Sequence, residues 1–118
     1  MQDQISPALP APISAYLEAN ARLDAEAMLA PFASDAVVGD ERRSHAGTDE
    51  IRAWILEASI ANQAVPRVTG YRLEDGGQAR PDVHVVDAEV SGGFPGSPVQ
   101  LSFRFVLADG AIARLAIS

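Results

Sequence analysis

Four side chains in this sequence combine proton chemistry with a suggestive setting: Asp40, Tyr16, His84 and His45. Asp40 opens the charged turn Asp40-Glu41-Arg42-Arg43. A carboxylate facing an apolar pocket gains basicity by desolvation, whereas one solvated beside two arginines is an ordinary turn charge. Tyr16 falls on the apolar stripe of a helix. There its phenol either donates a hydrogen bond to a ligand oxygen in a dry site or finds a backbone partner in the core. His84 shares a strand face with Val86, Ala88 and Val90. It can serve as acid, base or hydrogen-bond donor near neutral pH, or be a satisfied structural histidine. His45, in the loop Ser44-His45-Ala46, can reach a pocket mouth near Asp40 or simply be solvated. The spacing of His45, His84 and Asp40 matches no metal signature, so no metal is expected. There is no cysteine, nucleophile elbow, phosphate-binding glycine loop or dinucleotide fingerprint. No cofactor is expected.

These groups must be positioned by one ordinary domain, because 118 residues leave no room for two. The hydrophobic fraction of 47% and charged fraction of 21% suit a packed core rather than disorder. The net charge is −7, and all nine basic residues are arginines with no cluster beyond Arg42-Arg43. That balance repels phosphate backbones and argues against nucleic-acid binding. No apolar run approaches the ~18 residues of a membrane span, and the start of the chain lacks the pattern of a signal peptide. A cytoplasmic protein with no membrane partner is the expectation.

Residues 1–9 read as a flexible arm and residues 10–118 as the domain. Pro10 and Pro12 suit the first turn of a helix whose face carries Ile13, Tyr16, Leu17 and Asn20, the last a polar group on an apolar stripe. Asp24 is the expected N-cap of a short second helix burying Met28, Leu29 and Phe32 and closed near Pro31. Residues 36–39 read as a short strand. Thr48 is the expected N-cap of a third helix, with Ile51, Trp54, Ile55 and Ala58 as its stripe and Val65-Pro66 as its end. From Arg67 onward the pattern alternates with period two. Strands are expected over residues 67–74, 82–91, 99–107 and 111–117, with a hairpin at Asp109-Gly110. Arg104 and Arg114 are expected to pair with Asp87 and Glu89 on the outer face. Helices first and antiparallel strands after give an α+β fold with segregated layers. A twisted sheet wrapped on helices leaves a concavity, for which Trp54, Leu101, Phe103 and Phe105 supply apolar lining.

This order of elements, with its motifs, resembles the nuclear transport factor 2-like superfamily. Tyr16-Leu-Glu-Ala-Asn-Ala-Arg-Leu-Asp24 through Phe32-Ala-Ser-Asp-Ala-Val-Val-Gly-Asp40 is similar to the opening of SnoaL-like and ketosteroid isomerase-like proteins. Gly47-Thr-Asp-Glu-Ile-Arg-Ala-Trp54 resembles the third-helix signature. Phe94-Pro-Gly-Ser-Pro-Val99, Leu101-Ser-Phe-Arg-Phe105 and Ile112-Ala-Arg-Leu-Ala-Ile117 resemble the closing strands of SnoaL-like proteins. The resemblance spans about residues 12–118. It implies a cystatin-like cone, three N-terminal helices packed on a curved, mostly antiparallel sheet, and a homodimer formed through that sheet. It also implies that Asp40 sits where steroid isomerases keep their proton-moving carboxylate, and Tyr16 where they keep an oxyanion-stabilising phenol. The pattern then departs. Leu101 occupies the place of the protonated carboxylic acid that completes the isomerase oxyanion hole, and Ile55 that of a supporting tyrosine. Authentic steroid isomerisation is therefore not expected.

The reading that follows is a small-molecule pocket protein that takes a small apolar ligand. In its enzymatic form it is isomerase- or cyclase-like. Asp40 transfers a proton on an apolar carbonyl compound, with Tyr16 and His84 as catalytic partners and Trp54, Leu101, Phe103, Phe105 and His45 around the ligand. The alternatives are a non-catalytic ligand-binding domain and a dimeric interaction domain, since fold alone does not dictate function.

Overall fold

The computed structural model describes residues 9–118. The arm expected over residues 1–9 therefore lies outside the described residues except at Leu9, which packs against the core.

Helix α1, Ala11–Ala21, starts behind Pro10 with a second proline in its first turn, and buries Ile13, Tyr16, Leu17 and Asn20. Its end is a Schellman turn. Leu23 adopts φ 56°, while the Asp24 and Leu23 amides donate to the Ala19 and Asn20 carbonyls. Asp24 then caps α2, Ala25–Leu29, by accepting from the Ala27 amide at 3.2 Å. Phe32 belongs not to that helix but to β1, Phe32–Asp40, which is longer than its expected four residues.

A hairpin follows that the charge run concealed. Glu41 and Arg42 take φ 52° and 65°, the two left-handed positions of a tight turn, and β2, Arg43–Ala46, pairs back on β1. As an exposed edge strand it has no buried face to write an apolar alternation into its sequence.

Helix α3, Gly47–Trp54, is capped from within rather than by Thr48: Glu50 Oε1 accepts the Ala46 amide at 2.8 Å. It continues as a π-helical segment, Ile55–Ile60, seen in the Ala61 amide bonding the Leu56 carbonyl five residues back. The helix thus ends before Val65-Pro66, which belongs to β3, Val65–Glu74. Pro66 is tolerated because β3 is an edge strand. Strands β4, Val83–Ser91, β5, Val99–Ala108, and β6, Ala111–Ile117, complete the fold.

The six strands form one sheet ordered β2-β1-β6-β5-β4-β3. Only the β1–β6 pair is parallel. Register breaks at Val68/Gly70 and Val106/Leu107 add local twist and bend the sheet. All helices pack on one face, where Ile13, Met28, Ile51 and Ile55 meet Val86, Phe105, Ile112 and Leu115. The α+β, cystatin-like architecture is as expected.

The opposite face is charged, with different pairings from those expected. Arg67 pairs with Glu89 at 3.0 Å, Arg72 with Asp87 at 3.5 Å and Arg104 with Glu74 at 2.8 Å. Arg114 makes no ion pair among the described residues. The register explains the exchange: Glu89 lies opposite Arg67, and Val85 lies between Arg72 and Arg104. Val85 is fully buried on this outer face, flanked by those two arginine stems.

Candidate functional site

The sheet register divides its inner face into two zones. Asp40, Ile117, Phe103, Val86 and Tyr71 lie in one row across five strands, and Val38, Leu115, Phe105, His84 and Leu73 in the next. Beneath Val38, Leu115 and Phe105 of the second row the helices pack solidly, whereas Leu73 at its β3 end is exposed. From the first row toward Leu101 and Val99 a cavity of about 390 Å³ remains, partly open to solvent. It survives because the facing helical segment and loop present small side chains, Ala58, Ser59 and Ala64. Most of its wall is apolar, including Leu101, Phe103, Val90 and Phe94.

Asp40 stands at this wall. It is the last residue of β1, held between β2 and β6, so its backbone is fixed on both sides. One carboxylate oxygen, Oδ2, accepts the indole Nε1–H of Trp54 at 3.0 Å. A hydrogen bond to a charged group is worth about 1.5–3 kcal/mol, and this one orients the carboxylate while Oδ1 has no hydrogen-bond partner among the described residues.

Tyr16 lines the same cavity from α1. Its ring is fixed edge-on between Phe32 and Phe105, with centroids 5.6 and 5.9 Å away. It is 1% exposed, and its hydroxyl has no hydrogen-bond partner among the described residues. Burial first, and the nearby Asp40 charge second, push its pKa well above the usual phenol value. The group is therefore a neutral donor throughout the physiological range. A carboxylate and a buried phenol, each with an oxygen that has no partner among the described residues, thus face one mostly apolar space.

The remaining expected site residues divide. Trp54, Leu101 and Phe103 line the cavity. Phe105 does not: it lies one row deeper, in the packed core against Tyr16. His45 lies beside Trp54, ring centroids 6.1 Å apart, in an adjoining recess of about 150 Å³ that shares Asp40 and Glu41 with the main cavity. His84 is not brought to Asp40. Three strand spacings, about 14 Å, separate their strands, and its Nδ1 is hydrogen-bonded to the Tyr71 hydroxyl at 2.8 Å. The described residues contain no group of three His, Asp or Glu side chains able to hold a metal ion.

The cavity also holds polar groups to which no site role was assigned from sequence: Asn20, Ser59 and Asn62. Asn20 gave a signal, as the one polar member of the α1 stripe. Ser59 continues the spacing of Ile51 and Ile55 on the helix, but as a small polar residue it does not stand out, and the π-helical turn that holds it, a feature common at functional sites, is silent in sequence. Phe94 is brought to the wall by the loop after β4. There the Gly93 amide bonds the Asn62 carbonyl at 2.7 Å, and the Gly92 amide bonds Ser97 Oγ at 2.9 Å.

No family model and no curated protein matches the sequence. Solved structures do. A proposed polyketide cyclase from Sinorhizobium meliloti is 40% identical, with a TM-score of 0.82 over 93% of this chain and 95% of that one. This chain belongs to the SnoaL/NTF2-like superfamily. More distant solved structures share the fold alone. A cystatin-fold protein from Novosphingobium aromaticivorans is 15% identical, with a TM-score of 0.71 over 92% of this chain and 95% of that one. An NTF2-like protein from Cytophaga hutchinsonii is 13% identical, with a TM-score of 0.72 over 100% of this chain and 93% of that one.

Proposed function

We propose that this SnoaL/NTF2-like domain is a small-molecule pocket protein that performs isomerase- or cyclase-like proton transfer on an apolar carbonyl compound. The observation that supports it is the pairing in one cavity of Asp40, oriented by Trp54, with the unpartnered hydroxyl of Tyr16. Asp40 takes a proton from the carbon beside the carbonyl. The C–H electron pair forms a C=C bond, the carbonyl π pair moves onto the oxygen, and the resulting enolate accepts a hydrogen bond from Tyr16. The enolate then follows one of two courses. Where the enolate is conjugated with a C=C bond, the Asp40 carboxylic acid returns the proton to a different carbon, which moves the double bond and isomerises the compound. Alternatively its carbon adds to a second carbonyl, and the new alkoxide takes that proton, which closes a ring. The polyketide-cyclase description of the 40% identical protein is consistent with the second course.

Leu101 on the cavity wall supplies no second oxyanion donor. That observation favours a second reading, in which the pocket holds its ligand without converting it. The two are separated by deuterium exchange at the α-carbon of 1-tetralone, followed by NMR in D2O. The enzymatic reading expects exchange faster than in buffer and a loss of about 10²-fold or more in Asp40→Asn, the usual contribution of a positioned general base. Binding of the ketone without accelerated exchange would leave only the second reading. We also propose a second copy of this chain as the protein partner. It would dock on the outer face of the sheet, which no helix covers among the described residues.

A further inference from the structure

The acid–base pair occupies one part of the cavity wall, and a second set of polar groups lies one helical turn from it. Asn20 follows Tyr16 by four residues on α1, so their side chains are neighbours about 5–6 Å apart at Cβ. Ser59 follows Trp54 by five residues, one turn of the π-helical segment. The two meet through Ala64, whose carbonyl accepts Asn20 Nδ2 at 2.9 Å and whose amide donates to the Ser59 carbonyl at 2.9 Å.

Both side chains line the cavity, and both are more than nine-tenths buried, with Asn20 5% and Ser59 7% exposed. The Ala64 bond fixes the Asn20 amide so that Nδ2 is occupied and Oδ1 is left as an acceptor. Among the described residues, neither Asn20 Oδ1 nor the Ser59 hydroxyl has a hydrogen-bond partner. Buried polar groups are normally satisfied, and leaving one unmet is costly.

We propose that Asn20 and Ser59 form a distal anchor that binds a hydroxyl group of the ligand. Asn20 Oδ1 accepts the ligand's O–H, and the Ser59 hydroxyl donates to the same oxygen. The anchor specifies a class of compound: a largely apolar body with a carbonyl at one end, facing Asp40 and Tyr16, and an alcohol, enol or phenol at the other. A ligand lacking the hydroxyl leaves both protein groups unpaired, and sites built to hydrogen-bond a hydroxyl discriminate strongly for that reason.

This inference rests on the pocket reading but not on proton transfer, and the test separates the two. Calorimetry compares 1-tetralone with 6-hydroxy-1-tetralone, the same bicyclic ketone with a phenol at its far end. The unaltered protein is expected to bind the hydroxylated ketone about tenfold or more tightly, as one satisfied buried hydrogen bond allows. Ser59→Ala, a near-isosteric change, is expected to collapse that ratio toward one with little change for 1-tetralone. Asp40→Asn is expected to keep the ratio while slowing α-proton exchange by about 10²-fold or more. If exchange is never accelerated but the ratio and its loss in Ser59→Ala hold, proton transfer fails and the anchor stands. Equal affinity for the two ketones, failure of both to bind, or a Ser59→Ala effect that falls on both alike overturns the anchor.

Discussion

At the scale of single residues, the account turns on Tyr16 and what burial does to its phenol. Its folded pKa lies above the ordinary value of 10, through burial and then the charge on Asp40. The sign of the consequence for stability is fixed by linkage. Below pH 10 both folded and unfolded states hold the proton, and the group contributes no slope. Above pH 10 the unfolded chain releases it while the folded chain retains it, so stability falls as pH rises, by about 1.4 kcal/mol per unit for one proton. Denaturant melts of the protein between pH 9 and 11 should show that loss, and Tyr16→Phe should remove most of it. Equal alkaline slopes in the two proteins would mean that the phenol is not held neutral by its site. Asp40 and Tyr16 were legible as candidates from their positions in the superfamily pattern. Asn20 was legible only as an anomaly. Ser59 falls four residues after Ile55 on the same helical stripe but is too small and polar to mark itself, and nothing in Ile-Leu-Glu-Ala-Ser-Ile announces the π-helical widening.

At the scale of elements, the sequence was most readable where a periodicity and a cap agreed. The α1 stripe, the Asp24 cap and the β4–β6 alternation all stand as read. It was least readable where an element buries little. β2 has no apolar face, and its turn uses Glu41 and Arg42 in left-handed conformations that glycine or asparagine would normally mark. The loop closing the cavity is held in another way, by close backbone approach. A Cβ at Gly92 would meet the Asn62 carbonyl oxygen at 2.7 Å, Phe94 Cε2 at 2.9 Å and Ala64 Cα at 3.0 Å. Gly92→Ala should therefore cost about 1–3 kcal/mol, the range for overpacking. It should also shift Phe94 off the cavity wall and weaken ketone binding. Thermal melts and the calorimetric titration measure the two effects, and an unperturbed melt would show that the loop has room to give.

At the scale of the whole molecule, the fold separates two jobs by face. The inner face carries the helices, the core and the cavity, while the outer face carries the ion pairs around Val85. Among the described residues no helix is long and apolar enough to cross a membrane. A pair of copies joined through their outer faces would leave both cavities open at the opposite side. Sedimentation at micromolar concentration should therefore give twice the chain mass, with dissociation promoted by Arg72→Glu on the exposed outer face, and a monomer at all concentrations would remove the dimer from the account. The central claim remains that one ligand meets Asp40 and Tyr16 together. The most direct test is a structure of the protein with 1-naphthol, a planar mimic of the 1-tetralone enol. The account expects the naphthol oxygen at about hydrogen-bond distance, ~2.7 Å, from the Tyr16 hydroxyl, with its ring against Leu101 and Phe103 and the adjacent ring carbon facing Asp40. Naphthol bound elsewhere, or seated with its oxygen turned away from Tyr16, would contradict it.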